Sequence, residues 1–375
     1  MSLPPLRPTR AEIDLDAIRH NVRVLREAAG GTDLCAVVKA DGYGHGAVPV
    51  ARAALEAGAA WLAVALVEEG EELRAAGIDA PVLLLSEPPA AAADRLLAAG
   101  LTSALYTRAF GAALDAAAAR AGTIARVHLK ADTGMHRVGV YEPDWRDVLE
   151  ATLRWEHVEV EALWTHLARA DEPDSDSADR QLDAFDRFLA LAAQLGIEPG
   201  MTHAANSAAT LRLPRAHRDL LRTGVALYGL SPDTATLPAT AHGLRQALRL
   251  VTQVSFVKQV PAGTAASYGH TWRAPAAGWL ATVAVGYADG VPRLLSNRAE
   301  VLVGGRRRPV VGNVCMDQIL VWCGDAAAQP GDEVVLLGQQ GDASVSVDEW
   351  ADAARTITYE IGTSLTARVP RVYVG

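Results

Sequence analysis

Lysine is rare in this sequence, and its placement points to chemistry. Of the 35 basic residues only three are lysines, Lys39, Lys130 and Lys258. An arginine stays protonated at any ordinary pH, whereas a lysine amine can lose its proton, attack a carbonyl and form a Schiff base. Lys39 closes an apolar run in "DLCAVVKADGYGHG" (residues 33–46), and a glycine-rich turn follows it. We therefore predict that Lys39 is a reactive amine.

Other polar side chains follow further apolar runs in the first two thirds of the chain. They are Lys130, His166, Asn206, Ser207 and Arg222, with Gly224 close behind the arginine. One polar residue at a strand end carries little information, but five such strand ends, including that of Lys39, are harder to attribute to chance. If the strands are parallel, their carboxyl ends share one edge, and we expect these groups to converge there.

Eight short apolar runs alternate with alanine- and leucine-rich helical stretches and would position these groups. The runs are "LCAVVK" (34–39), "WLAVAL" (61–66), "PVLLL" (81–85), "TSALY" (102–106), "ARVHLK" (125–130), "VEALWTHL" (160–167), "GMTHAA" (200–205) and "DLLRTG" (219–224). This alternation predicts the α/β class, with an N-terminal (β/α)8 TIM-type barrel over residues 11–240. Taken alone, the run "PVLLL" is also compatible with a buried helix.

The alternation of apolar runs with helical stretches ends after about residue 240. "LRLVTQVSFVKQV" alternates in polarity and is rich in β-branched residues, and further short apolar runs follow, separated by Gly, Pro and Asp. We predict a mainly antiparallel β domain over residues 241–375, interrupted by one helix in "SVDEWADAART". Residues 1–10 are expected to pair with this second domain.

Composition excludes several classes of partner. The net charge of −9 argues against a nucleic-acid partner or an anionic membrane surface, and we see no apolar stretch long enough to span a bilayer. Three cysteines indicate a reducing compartment without a disulfide framework. The start "MSLPPLRPTRAEIDL" lacks the apolar core of a signal peptide. We therefore predict a cytoplasmic protein, and no metal site.

The loops after the last two predicted barrel strands favour a phosphate site. They read "AANSAAT" and "RTGVALYG", and their small residues let backbone N–H groups approach an anion. Ser207 offers a hydroxyl where a helix would begin, which is the favourable end for phosphate. A reactive lysine opposite such a site implies a phosphorylated aldehyde held as a Schiff base. The cofactor that fits this description is pyridoxal 5'-phosphate.

Longer motifs add a family resemblance. The quoted blocks "AVVKADGYGHG", "KADTGMHRVG", "THLARADE", "AANSAAT", "RTGVALYG", "ASYGHTW", "VAVGYADG", "GNVCMDQ" and "TITYEIGTSLTARVPRVY" resemble those of the bacterial alanine racemase family, in family order over residues 10–373. The resemblance implies a fold-type III barrel followed by a β domain. It also implies interconversion of L- and D-alanine with pyridoxal phosphate, supplying D-alanine for peptidoglycan.

The resemblance further implies two bases on opposite faces of the substrate's α-carbon. Lys39 would carry the cofactor and act as one base, and Tyr268 from a partner subunit would be the other. His166 would hydrogen-bond Tyr268, and Arg222 would hydrogen-bond His166 and face the pyridine nitrogen. These roles imply a homodimer whose active sites are shared between chains.

The remaining implied roles concern cofactor and substrate binding. Besides Lys39 and Arg222, the cofactor-binding residues would be Tyr43, Asn206, Ser207, Gly224, Val225 and Tyr359. Arg137 would bind the substrate carboxylate with help from the backbone N–H of Met316, and Tyr287 and Met316 from the partner would narrow the pocket. Lys130 would be carbamylated; an ordinary cationic lysine, or one paired with chloride, remains an alternative.

Two other readings of the chain stay open at this point. The first is a racemase for other or several amino acids, or a barrel-type amino-acid decarboxylase, although a decarboxylase needs no tyrosine base in "ASYGHTW". The second is a non-catalytic pyridoxal-phosphate-binding protein built from a lone barrel. The predicted β domain, which carries Tyr268, Tyr287 and Met316, argues against that class.

Overall fold

The computed structural model describes residues 7–375. The first strand in this range is followed directly by a helix. Strand β1 (Arg10–Asp14) leads into helix α1 (Leu15–Ala28). The side chain of Asp14 accepts a hydrogen bond from the backbone N–H of Ala17 at 2.9 Å and so caps the first turn of the helix. The apolar face of α1, including Ile18, is buried in the core.

Eight parallel strands form the next unit. They are β2 (Asp33–Val37), β3 (Trp61–Val64), β4 (Val82–Leu84), β5 (Thr102–Leu105), β6 (Ala125–Lys130), β7 (Val158–Trp164), β8 (Met201–His203) and β9 (Leu220–Thr223). Neighbours in chain order pair in parallel from β2 to β8, and β9 pairs with β2. Backbone hydrogen bonds from Asp219 to Thr202 and from Arg222 to Ala205, each 3.0 Å, join β8 to β9 and close the ring. The predicted barrel is confirmed.

Helices surround these strands. They are α2 (Lys39–Tyr43), which is a short left-handed turn, α3 (Ala47–Glu56), α4 (Val67–Ala75), α5 (Ala93–Ala98), α6 (Arg108–Ala121), α7 (Trp145–Thr152), α8 (Ser177–Gln194) and α9 (Ser207–Arg212). Because helices cover the outer faces, most strands read as continuous buried apolar runs rather than alternating ones. Within residues 7–375 the structure contains no helix that combines the length and apolar character needed to cross a membrane.

The rest of the chain forms a mainly antiparallel β region, as predicted. Its strands are β10 (Leu248–Val260), β11 (Ala265–Ala266), β12 (Trp272–Arg273), β13 (Gly278–Val283), β14 (Glu300–Val303), β15 (Arg306–Val311), β16 (Ile319–Gly324), β17 (Glu333–Gln340), β18 (Ala343–Val345) and β19 (Arg371–Val374). Helix α10 (Val347–Ala354) is the one predicted in "SVDEWADAART", and α11 (Thr358–Thr363) follows it.

The N-terminal strand belongs to this second sheet. β1 pairs antiparallel with β10 and parallel with β19, inside a nine-stranded sheet. Thr9 lies beside it, with its Oγ1 atom 2.8 Å from Oγ1 of Thr252. Residues 1–6, which were also expected to pair here, lie outside the described residues. The domain boundary at residue 240 stays a prediction.

A close approach between α11 and the loop after β2 brings the two regions together at the rim of the barrel. A Cβ atom on Gly44 would lie 2.1 Å from the carbonyl oxygen of Gly362, so only glycine fits there. This contact places α11, and with it Tyr359, over the carboxyl ends of the barrel strands.

Candidate active site

A cavity of about 800 Å³ opens at the carboxyl ends of the barrel strands, against α11. Its lining includes Lys39, Tyr43, Lys130, Arg137, His166, Asn206, Ser207, Arg222, Gly224, Val225 and Tyr359. These are all the barrel residues that the sequence analysis assigned to the site, together with Tyr359. The structure therefore brings them to one place from the ends of five barrel strands and from α11.

Four basic side chains line this cavity, which favours the binding of anions. They are Lys39, Lys130, Arg137 and Arg222. Burial, and then the charge of Arg137, lower the pKa of Lys39. Burial, followed by the charges of Arg222 and Arg137, lowers the pKa of Lys130 to about 7. Both amines are therefore more easily deprotonated than a lysine in water, which normally titrates near 10.4.

A left-handed turn fixes the backbone around Lys39. Residues Ala40, Asp41, Gly42 and Tyr43 have φ angles of 52°, 50°, 61° and 53°. Such a run is costly for residues with a Cβ atom, so it needs support from its surroundings. The carboxylate of Glu69 supplies part of it, because it accepts from the backbone N–H of Ala40 at 2.6 Å and from that of Ala65 at 2.8 Å.

The two loops that were predicted to bind phosphate are hydrogen-bonded to each other. Oγ of Ser207 accepts from the backbone N–H of Gly224 at 2.9 Å and from that of Ala226 at 3.3 Å. A Cβ atom on Gly224 would lie 2.3 Å from the hydroxyl of Tyr43, so this glycine keeps space open beside the phenol. Burial raises the pKa of Tyr43 to about 12, which leaves its hydroxyl protonated as a donor. Two hydroxyls, a glycine without a side chain and nearby cations fit a phosphate group.

Arg222 lies at the base of the cavity and is almost completely buried. Its Nη1 atom lies 2.7 Å from Nδ1 of His203, and its Nη2 atom donates to the carbonyl of Thr165 at 2.8 Å. Nη2 also lies 3.4 Å from Nδ1 of His166. Burial lowers the pKa of the guanidinium to about 10. Enclosure by protein and then the charge of Arg222 hold the pKa of His166 well below 6.5, so this imidazole is neutral.

Trp164 is a part of the site that sequence reasoning missed. Its ring is buried at the end of β7, with Nζ of Lys130 4.5 Å from the ring centroid and Cζ of Arg222 4.6 Å from it. A desolvated aromatic face stabilises a nearby cation. The sequence signal that could have identified Trp164 was its position in "VEALWTHL", two residues before His166.

Tyr268, Tyr287 and Met316 lie elsewhere in the same chain. Within the described residues none of the three lines the cavity. All three are large, mainly apolar side chains, yet they are exposed to 73%, 42% and 53% respectively. The loops of Tyr287 and Met316 are joined, since the backbone N–H of Ala288 donates to the carbonyl of Met316 at 3.0 Å. The chain therefore lines the cavity with the residues around Lys39 and leaves Tyr268, Tyr287 and Met316 exposed outside it.

Comparison with known proteins identifies the family of the chain. The family model described as "Alanine racemase, N-terminal domain" matches residues 13–232, and "Alanine racemase, C-terminal domain" matches residues 247–373. A protein of Symbiobacterium thermophilum named alanine racemase is 48% identical over 100% of this chain and 99% of its own length.

Solved structures agree with this match. The crystal structure of alanine racemase from Streptomyces lavendulae, which produces D-cycloserine, has a TM-score of 0.96 and 45% identity, and the match covers 100% of this chain and 98% of that one. The alanine racemase from Bartonella henselae with covalently bound pyridoxal phosphate has a TM-score of 0.87 and 29% identity, over 99% of this chain and 100% of that one. The chain belongs to the alanine racemase family.

Proposed function

We propose that this site racemises alanine with two bases, Lys39 from one chain and Tyr268 from a second copy. Members of the alanine racemase family interconvert L- and D-alanine with pyridoxal phosphate. The observation that carries the proposal is one cavity lined both by a lysine of lowered pKa and by the hydroxyls and glycine of an anion site. Both features come from this chain's own residues.

The residues present fit the cofactor. Tyr43, Ser207 and Gly224 would hold its phosphate, with Asn206, Val225 and Tyr359 completing the lining of the same cavity. The alanine racemase from Bartonella henselae binds pyridoxal phosphate covalently, and Lys39 would make that bond here. When bound, the cofactor would withdraw electrons from the substrate's α-carbon and so acidify its C–H bond.

Lys39 would take or return the α-proton on one face of the substrate. A base works best when its pKa lies near the operating pH, and burial together with Arg137 moves the pKa of Lys39 in that direction. The turn braced by Glu69 fixes the backbone from which this amine projects. Arginine could not replace it, because a guanidinium does not lose its proton at ordinary pH.

Tyr268 of a second copy would serve the opposite face. A phenol titrates near 10 in water, so it needs a partner to act as a base at neutral pH. His166 would be that partner, since its imidazole is neutral and its Nδ1 atom lies 3.4 Å from Arg222. Arg222 would face the ring nitrogen of the cofactor with a group that cannot accept a proton. That arrangement would limit the electron withdrawal that the cofactor supplies and so would disfavour side reactions.

Arg137 would bind the substrate carboxylate at the mouth of the cavity. It lines the cavity and stays exposed, and a guanidinium suits bidentate binding of a carboxylate. The backbone N–H of Met316 and the ring of Tyr287, from the second copy, would limit the space for the substrate side chain. An anion on Lys130, formed by carbamylation, would offset the charge of Arg137 and hold it in place.

The active unit would be a homodimer. Support comes from the exposure of Tyr268, Tyr287 and Met316, which is unusual for large apolar side chains in a group. A two-fold interface between identical chains would place each of these on the site of the other chain. A cytoplasmic location and supply of D-alanine to peptidoglycan complete the proposal, and both rest on sequence and family.

The decisive experiment is to incubate the holo-protein with L-alanine, L-serine and L-lysine in deuterated water and separate the enantiomers chirally. Formation of D-alanine with deuterium at the α-carbon is expected, and the other two substrates report strictness. A protein that binds the cofactor but leaves the α-hydrogen of alanine unexchanged would overturn the proposed function. Carbon dioxide release would instead identify a decarboxylase.

A further inference from the structure

Four ionisable side chains form a continuous row inside the barrel, below the cavity. Nη1 of Arg222 lies 2.7 Å from Nδ1 of His203. Nε2 of His203 lies 3.0 Å from Nδ1 of His128. Nε2 of His128 lies 3.2 Å from Oε2 of Glu161. The row therefore runs from the base of the cavity, through β8 and β6, to a carboxylate on β7.

The chemistry of the two ends fixes the direction of every hydrogen bond in the row. A guanidinium only donates, so Nδ1 of His203 must accept. That places the His203 proton on Nε2, which must donate to Nδ1 of His128. The His128 proton is then also on Nε2, facing a carboxylate that only accepts. One arrangement of protons satisfies all three contacts, and both imidazoles are neutral in it.

Burial makes this arrangement hard to replace. His128 and His203 are fully buried, and Arg222 is 3% exposed, whereas the Glu161 side chain is 19% exposed. The ring of His203 stacks on Trp164 at 5.3 Å between centroids, and that of His128 packs against Trp61 at 5.1 Å. Water cannot readily supply a missing partner to either imidazole, so an unpaired N–H there would be costly.

We propose that His128 and Glu161 are positioning residues for Arg222, acting through His203. This inference rests on the proposed role of Arg222 at the cofactor. Glu161 accepts from His128, which keeps Nδ1 of His128 free to accept from His203. His203 in turn keeps Nδ1 free to accept from Arg222. If the tautomers reversed, an N–H of His203 would point at the guanidinium and displace it from the base of the site.

A core-filling role for the two histidines would predict something different. Packing alone requires the rings' shapes and is indifferent to the proton positions and to a carboxylate at the edge of the barrel. The variant Glu161→Gln distinguishes the two roles, because it keeps the size of the side chain but adds an N–H donor that can face His128. The variant His128→Leu also distinguishes them, because it removes the Nδ1 atom that accepts from His203. Glu159→Gln is the matched control, because Glu159 lies on the same strand, is exposed, and is 3.5 Å from Arg126.

The first test is nitrogen-15 NMR of histidine-labelled holo-protein, with His128 and His203 assigned by their loss in His128→Gln and His203→Gln. Both should carry the proton on Nε2 and remain neutral at pH 7. In Glu161→Gln the His128 signal should show mixed tautomers, and in His128→Leu the His203 signal should change. A proton on Nδ1 of His203 in the wild type, or unchanged tautomers in both variants, would overturn the proposal.

The second test is kinetic. Outer hydrogen-bond partners of functional groups typically contribute about tenfold in activity, by analogy with metal sites. We expect Glu161→Gln to lower kcat by about that factor with little change in KM, and the cofactor absorbance band to change its pH dependence. Glu159→Gln should do neither. The kcat of His128→Asn, whose side chain can accept from His203, should exceed the kcat of His128→Leu. Equal loss in Asn and Leu variants would indicate packing alone.

These tests separate this inference from the proposed function. The tautomers are read by NMR without turnover. A wild type that fails to racemise alanine would therefore refute the proposed function while the proton arrangement could still be measured. Conversely, full racemase activity with the opposite tautomer at His203 would refute only the positioning role.

Discussion

Nζ of Lys130 lies 4.5 Å from the centroid of the Trp164 ring, and the side chain is almost completely buried. An aromatic face stabilises a cation only in part, and Arg222 lies against the same ring at 4.6 Å. Burial therefore dominates and lowers the pKa of Lys130 to about 7. A large fraction of this amine is neutral near pH 7, and a neutral amine can add CO₂.

We predict that Lys130 is carbamylated in the holo-protein. The carbamate would put an anion among the cations of the site, next to Arg137. Protein equilibrated with carbon-13 bicarbonate should give one carbamate resonance, which Lys130→Arg should abolish. A crystal map with a bare Nζ and a chloride beside it would refute the carbamate and favour the halide.

Without CO₂, Lys130 should make stability depend on pH in a defined direction. Its pKa is about 7 in the folded protein and about 10.4 when unfolded, so between these values the unfolded chain binds more protons. The free energy of unfolding should therefore rise with pH from about 7 to 10, by at most about 1.4 kcal/mol per pH unit.

Urea unfolding of holo-protein in CO₂-free buffers, at one protein concentration, measures this effect. The wild type should gain stability relative to Lys130→Met as pH rises through that window. A difference between the two proteins that stays constant with pH would mean that Lys130 titrates normally in the folded state.

Lys39 should be the residue that binds the cofactor. Borohydride reduction of the holo-protein followed by peptide mapping should place the label on the peptide containing Lys39, and Lys39→Arg should leave the protein unlabelled. The sequence offers only two competitors, Lys130 and Lys258. Label on either of those would show that the assignment is wrong.

The barrel was predictable because its strands are apolar on both faces and recur between helices. The ends of the strands were less predictable. The run through Lys39 was predicted as a strand, but β2 ends at Val37. The cause is not local, since the left-handed turn after it depends on Glu69, which lies 30 residues further along the chain than Lys39. A pattern in one segment carries no information on such a partner.

Gly224→Ala should weaken cofactor binding. The new Cβ would lie 2.3 Å from the hydroxyl of Tyr43, so one of the two must shift. Overpacking of this kind costs about 1–3 kcal/mol, which is about fivefold or more in affinity. Titration of apo-protein with pyridoxal phosphate, followed by absorbance, measures it.

Gly200→Ala is the matched control, since a Cβ there would lie no closer than 3.6 Å to its nearest neighbour, the carbonyl of Glu161. It should bind the cofactor like the wild type. Equal affinities for Gly224→Ala and Gly200→Ala would show that Gly224 does not shape the phosphate site.

The sequence could not reveal how the site extends below and beyond the cavity. His128 and His203 are 75 residues apart and meet only because side chains of alternate barrel strands share an interior layer. Tyr268, Tyr287 and Met316 were assigned by resemblance, and one chain leaves all three outside the cavity. In the proposed dimer their place would depend on an interface between copies, which no strand or helix pattern specifies.

Sharing of sites between two chains can be tested by complementation. Lys39→Ala and Tyr268→Ala should each be inactive alone. After subunit exchange, half of the dimers from an equal mixture should be mixed, and each has one site with both bases intact and one with neither. About a quarter of the wild-type activity should therefore return. If both bases came from one chain, no mixed dimer would contain a complete site, so confirmed exchange without recovered activity would refute the shared-site arrangement.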